Sequence, residues 1–161
     1  MHYKIRILAC LMMATAWTAA STAARAADAD GHRLIERGRY VAHTAGCNDC
    51  HTPGYGAAEG TVSESLWLTG DQVGWRGPWG TTYPTNLRLY MNQISEDAWV
   101  NIARVFRPRP PMPWFNVHAM SEDDLRALYR FVRYLGPAGK PAPAYVPPDK
   151  TPTGPVVRFP D

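Results

Sequence analysis

The sequence predicts one all-α domain of about three to four helices, joined by long loops and followed by an extended, Pro-rich C-terminal tail. Three segments space their apolar residues as amphipathic helices do. The stretch between the first and second of them, residues 52–91, is rich in Gly, Pro, Thr and Trp without a sustained period, so we expect loops there. Residues 136–161 contain eight prolines, a density that favours an extended segment. The length of 161 residues suits a single domain.

The first predicted helix covers residues 30–46 and runs into Cys47. The apolar side of this segment holds Leu34, Ile35, Gly38, Tyr40 and Val41, and the polar side holds Arg33, Glu36, Arg37 and Arg39.

The second predicted helix runs from Ser95, a candidate N-cap, to about Phe106. Residues 107–113 then contain four prolines, which remove backbone donors and force extended geometry. The third helix starts at Ser121, with Asp124 three residues later as in a capping box, and ends before Gly136. Its broad apolar stripe consists of Leu125, Leu128, Tyr129, Phe131, Val132 and Leu135.

The N-terminus has the pattern of a cleavable export signal. Lys4 and Arg6 precede an apolar run over residues 7–20, and the small-residue stretch that follows ends at Ala26. We therefore predict a signal over residues 1–26, a domain over 27–136, a tail over 137–161, and no stable membrane span after cleavage. Lipoprotein processing at Cys10 is the alternative, although almost no apolar segment precedes that cysteine.

Charge and cysteine content limit the possible functions. The three basic residues of residues 1–26 account for the formal net charge of +3, so the predicted mature chain is neutral and has no general affinity for nucleic acid. Cleavage also removes Cys10 and leaves Cys47 and Cys50 alone. Two cysteines three apart in an exported protein indicate a redox or cofactor site more than a disulfide framework.

The residues Cys47-Asn48-Asp49-Cys50-His51 form the C-x-x-C-H attachment motif of c-type haem. Thiols one helical turn apart reach two vinyl groups of one porphyrin edge, and the adjacent imidazole becomes a ligand of iron. Two alternatives stay open. A thioredoxin-like dithiol needs a βαβ context, and structural zinc needs four ligands, here the two cysteines with His32, His43, His51 or His118.

Residues 46–53, an upstream helix, the proline-flanked Met112 and a final amphipathic helix together resemble the class I mono-haem c-type cytochromes, over about residues 30–136. Within that class, residues 121–129 and 145–148 look like periplasmic cytochrome c subunits that accept electrons from dehydrogenases. The resemblance implies a small cytochrome c fold around one covalent haem c with its iron. It also implies that Gly38 and Tyr129 mark the crossing of the first and last helices.

The resemblance further implies a methionine as sixth iron ligand, on a loop before the last helix. Met112 fits by position and by its rigid setting between Pro111 and Pro113. Met91, Met120 and His118 are its rivals, and a methionine can equally fill a gap in the core.

Several further residues are candidates for the surroundings of the haem. In such cytochromes, residues of the central loop region line the haem and form hydrogen bonds with its propionates. The corresponding region of this chain contains Trp75, Trp79, Tyr83 and Asn86. Plain aromatic packing is the alternative role. The cluster of Arg104, Arg107 and Arg109 is a candidate for propionate pairing or for an acidic partner, with ordinary solvated arginines as the alternative.

With His and Met both bound, iron has no open position, which suits one-electron transfer in the periplasm rather than catalysis. The expected partners are a dehydrogenase as donor and an oxidase or another cytochrome as acceptor. Two other functions stay open. One is a dedicated subunit of a dehydrogenase complex, with the Pro-rich tail as a docking strap. The other is a peroxidase-like haem enzyme, with His43 or His118 as distal base.

Overall fold

The computed structural model describes residue 25 and residues 28–160. The chain divides into two units, Met1–Leu34 and Ile35–Asp161. In the first unit, residues 28–34 are helical and Arg33 forms an ion pair with Asp30 at 2.5 Å. The predicted export signal, Cys10 included, lies outside the described residues apart from residue 25, so its cleavage stays a prediction.

The elements of the second unit follow in chain order. Helix α1 comprises residues 35–44. The others are α2 (Cys47–His51), a 3₁₀ turn (Glu64–Leu66), β1 (Gly74–Gly77), β2 (Gly80–Thr82), α3 (Leu87–Met91), α4 (Glu96–Val105), α5 (Trp114–Ala119), α6 (Glu122–Leu135) and β3 (Val156–Arg158). Among the described residues, no helix has the length and apolar character needed to cross a membrane.

The two later helices predicted from the sequence are confirmed, and their caps explain their boundaries. The Ser95 side chain accepts a hydrogen bond from the Ala98 amide at the start of α4, and the Ser121 side chain accepts one from the Asp124 amide at the start of α6. Helix α6 ends at Leu135, and the Gly136 that follows it has a φ of 69°, which favours glycine. Residues 107–113 are not helical, as their prolines require.

The expectation of an all-α fold holds only in part, because a small sheet accompanies the helices. Its order is β2-β1-β3, with β1 antiparallel to β2 and parallel to β3. The expected loop over residues 52–91 therefore contains a hairpin and helix α3, and the tail supplies a strand. Strands of three or four residues are too short for a readable alternation, and the third comes from the far end of the chain.

The core lies between α6, α4 and α3, where α6 buries its apolar stripe. Phe131, Leu125 and Val132 of this helix are fully buried together with Leu68 and Met91. The indole nitrogen of Trp99 donates to the Leu125 carbonyl at 2.9 Å, so the largest side chain of α4 packs with its polar atom paired.

A buried arginine closes the C-terminal end of α6. The Arg88 guanidinium donates to the carbonyls of Leu135 and Gly136, and to that of Ser65 at 2.7 Å. Burial lowers the pKa of Arg88 below its ordinary value. The cation thereby satisfies carbonyls that the end of a helix leaves without partners. Sequence reasoning missed this residue, since its partners are backbone atoms far along the chain.

Gly38 lies where α1 approaches α6, as the resemblance implied, whereas the Tyr129 hydroxyl donates to the Ile94 carbonyl at 2.9 Å and so ties α6 to the segment before α4. A Cβ at Gly38 would lie 2.0 Å from the Ala127 carbonyl oxygen and 2.6 Å from Phe131 Cβ. Only glycine permits this approach of two helices.

We expect Gly38→Ala to lower the free energy of unfolding by more than about 3 kcal/mol, because backbone as well as side chain must shift. Gly31→Ala is the matched control, since a Cβ at that helical glycine meets nothing within 4 Å. It should leave stability unchanged or raise it by about 0.5–1 kcal/mol. Urea unfolding of both variants tests the expectation, and equal midpoints would contradict it.

Candidate functional site: an apolar cavity at the C-x-x-C-H helix

A cavity of about 470 Å³ lies in the second unit, within the usual range for small-molecule and cofactor sites. Its lining is mainly apolar. Cys47, Cys50 and His51 line it from α2, and Met112 lines it from the Pro-rich loop. Residues more than 60 positions apart in the sequence therefore meet at one cavity.

Helix α2 presents the two thiols. It starts after Gly46, whose φ of 72° is left-handed, and spans one turn with Cys47 and Cys50 three residues apart. Both thiols are free and partly buried. Thr52 braces the end of α2, because its hydroxyl donates to Asn48 Oδ1 at 2.7 Å and accepts from the Leu68 amide at 2.8 Å.

The environment of the thiols argues against a reactive dithiol. Burial raises the pKa of Cys47 to about 11, and burial followed by the charge of Asp49 raises that of Cys50. Thioredoxin-like cysteines need the opposite shift, toward the thiolate. Zinc is not supported either, since the described residues contain no group of three or more His, Cys, Asp and Glu side chains able to hold a metal ion.

His51 is oriented by a backbone acceptor. Its Nδ1 lies 2.7 Å from the Thr85 carbonyl oxygen, which can only accept, so Nδ1 carries the proton and Nε2 keeps its lone pair. The ring is buried, and burial lowers its pKa below the ordinary value. A neutral imidazole with a fixed tautomer and a free Nε2 is the form that binds a metal.

Three methionines line the cavity: Met112, Met91 and Met120. Met91 is fully buried and belongs to the core, whereas Met112 and Met120 are partly buried and pack against it. His118, the remaining rival, does not line the cavity, and its Nε2 lies 2.9 Å from the Phe106 carbonyl oxygen. Of the four candidates for the sixth ligand, the three methionines line the cavity and His118 does not, so the remaining candidate ligand atoms are thioether sulfurs.

The structure brings some of the weaker candidates to the cavity and leaves others away from it. Trp75 and Tyr83 line it. Trp79 does not; its indole nitrogen lies 3.2 Å from Thr82 Oγ1, and its ring packs on Phe159. Asn86 does not line it either. Its side chain caps α3 and donates to the carbonyls of residues 138 and 140, so a haem contact is not supported for this residue.

Of the three clustered arginines, one lines the cavity and two make other contacts. Arg109 lines the cavity. Arg104 donates to the Met120 carbonyl at 2.8 Å, and Arg107 stacks over the Trp114 ring at 4.8 Å. Only Arg109 is therefore placed at the cavity.

Sequence reasoning missed several residues of the wall, among them Trp99, Phe106 and Tyr145. Trp99 and Phe106 are seven residues apart, and their rings are in contact at 6.4 Å between centroids, so helical spacing was a usable signal. Tyr145 lies in the Pro-rich tail, where no local pattern predicts its position.

These residues fit a covalently attached haem. Two free thiols, an imidazole with Nε2 available and thioether side chains share one apolar cavity. The described lining contains no carboxylate, which disfavours a hard cation, and thioether side chains suit haem iron better than zinc, whose usual ligands are thiolate, imidazole and carboxylate.

Fold and site together describe a mainly helical protein with a C-x-x-C-H turn at an apolar cavity. The chain is 33% identical over 119 residues to the cytochrome c subunit of the quinone alcohol dehydrogenase of Gluconobacter oxydans (strain 621H). The match covers 68% of this chain and 23% of that protein, so the chain corresponds to less than a quarter of its relative's length. No family model matches the chain, and no solved structure matches it significantly.

Proposed function

We propose that this protein is a periplasmic one-electron carrier with a single haem c, held covalently by Cys47 and Cys50 and ligated by His51 and Met112. The observation that carries the proposal is the meeting of the C-x-x-C-H helix and the Met112 loop at one apolar cavity. The similarity to a cytochrome c subunit supports the same class of function.

Each part of the site has a role in this proposal. Cys47 and Cys50 would form thioether bonds to the haem and so prevent its loss. The Thr85 carbonyl holds the His51 ring in one orientation and raises the basicity of Nε2. The methionine sulfur would favour the reduced state of the iron, and the apolar wall would keep water from the metal. A haem held by these residues would supply one-electron chemistry between its ferric and ferrous states.

Acid–acetone extraction tests the covalent attachment. The colour should stay with the protein, because thioether bonds survive loss of the axial ligands. Visible spectra of the oxidised and reduced protein check the c-type haem independently. Haem recovered in the solvent layer would contradict the proposal.

The periplasmic location depends on the N-terminal signal. We infer that export precedes attachment, since the resemblance implies that Cys47 and Cys50 meet the attachment machinery outside the cytoplasm. The mature chain should begin at Ala27 or within a residue or two, as N-terminal sequencing can establish. A mature chain beginning at Met1 would refute this step.

A dedicated subunit of a dehydrogenase complex is the second candidate, because the relative is named as such a subunit. Co-purification with a larger dehydrogenase would favour it over a free carrier that passes electrons to an oxidase or another cytochrome. A peroxidase-like enzyme is less well supported. Neither of its candidate distal bases lines the cavity, since His43 Nδ1 lies 2.7 Å from the Tyr55 hydroxyl and His118 faces a backbone carbonyl.

A further inference from the structure

Tyr145 connects the C-terminal tail to the cavity. Its ring is partly buried and lines the cavity, and its hydroxyl donates to the Trp79 carbonyl at 2.8 Å. A residue of the tail, beyond the last helix, therefore forms part of the wall that would face a cofactor.

The backbone that follows this ring is fixed to the sheet. Val146 exchanges two hydrogen bonds with Thr81, at 2.7 and 3.0 Å. The Arg76 guanidinium donates to the carbonyls of Pro148 at 2.7 Å and Lys150 at 2.8 Å. A Cβ at Gly80 would lie 2.5 Å from the Val146 carbonyl oxygen and 2.8 Å from the Tyr145 hydroxyl, so glycine is required for this approach. The tail is thus a rigid support at this point.

The loop that carries Met112, residues 107–113, has few means of attachment through its own backbone. Four of its seven residues are prolines, which have no N–H to donate. The Thr82 hydroxyl donates to the Pro110 carbonyl at 2.5 Å. The Met112 and Pro113 carbonyls accept hydrogen bonds from the nearby Trp114 and Asn116 amides. Side chains add attachment to more distant parts of the chain, and among them Arg109 places its guanidinium 3.9 Å from the centre of the Tyr145 ring.

We propose that Tyr145 is a positioning residue for the methionine ligand, acting through the stacked Arg109 on the Met112 loop. This inference rests on the proposed function, because it concerns the sixth ligand of the haem. The aromatic ring supplies the attraction for the guanidinium, and the sheet holds the ring in place. The tail therefore serves the site from within the molecule, in addition to any docking role.

The proposal predicts that loss of the stack changes how often the Met112 sulfur leaves the iron. Without the stack, the loop leaves the iron more often, and a small ligand competes more readily for the sixth position. We expect Tyr145→Ala to speed carbon monoxide binding to the reduced protein roughly two- to fivefold, in line with the strength of a cation–π contact at an exposed guanidinium. Arg109→Gln should give a similar change, and the double variant should be no faster than either single variant.

The variant Tyr145→Phe distinguishes stacking of the Tyr145 ring on Arg109 from a structural role of the Tyr145 hydroxyl. It keeps the ring and loses only the hydrogen bond to the Trp79 carbonyl, so it should restore slow carbon monoxide binding. Tyr134→Ala is the matched control, since that tyrosine is exposed on α6 and does not line the cavity. Arg109 is exposed, so Arg109→Gln provides the test even where Tyr145→Ala does not mature.

The wild-type spectrum distinguishes the failure of this inference from that of the proposed function. Oxidised wild-type protein without the near-infrared sulfur-to-iron band would overturn both the methionine ligation and the positioning role. An intact wild-type band, with carbon monoxide binding unchanged in Arg109→Gln and in any Tyr145→Ala protein that matures, would overturn the positioning role alone.

Discussion

Replacing both Cys47 and Cys50 by Ser is expected to reduce the recovered, folded protein to traces. Helices α2 and α3 have five residues each and α5 has six, too few to be stable without packing. Leaving an apolar cavity of about 470 Å³ unfilled would cost at most ~11 kcal/mol by cavity scaling. That limit is comparable to the whole stability of an ordinary domain.

Haem-stained gels and spectra of the exported fraction measure this effect, with single variants showing whether one thiol suffices. Cys10→Ser is the control, because that cysteine lies in the predicted signal and should not affect haem content. A double variant that retains haem after acid–acetone extraction would refute covalent attachment at these positions.

Replacing Met112 by Ala is expected to abolish the near-infrared sulfur-to-iron band of the oxidised protein. The same change should lower the reduction potential by a sizeable part of the roughly 0.8 V range that axial ligands control, because the thioether favours the reduced state. It should also open iron to carbon monoxide while the covalent attachment persists.

The other two methionines of the cavity provide the comparison for this variant. Met120→Ala should keep the band, and Met91→Leu should keep it while testing the packing of a fully buried side chain. If the band survives in Met112→Ala, the ligand is another thioether, and Met120 is the first to examine. A wild-type protein without the band would return attention to His118.

The parts of the fold that were not predicted depend on contacts between residues far apart in the sequence, whereas the predicted helices depend on local signals. The caps at Ser95 and Ser121 act within one turn of helix, so a short stretch of sequence was enough to predict α4 and α6. The pairing of β1 with β3 joins Gly74 to Val156, and no local pattern carries that information. The same applies to Arg88, whose acceptors are carbonyl oxygens of residues 65, 135 and 136.

The sequence by itself determined the C-x-x-C-H motif and the later helices, because these depend on residue type and short spacing. Met112 became the first candidate ligand because the resemblance to class I cytochromes implies a methionine there, and its position and flanking prolines fit that role. Only the tertiary structure decided that Trp75 and Tyr83 reach the cavity while Trp79 and Asn86 do not. It also decided the tautomer of His51, set by the distant Thr85 carbonyl, and the return of the tail to the cavity at Tyr145. These features depend on which backbone and side-chain atoms meet after the chain has folded, and sequence spacing does not encode such meetings.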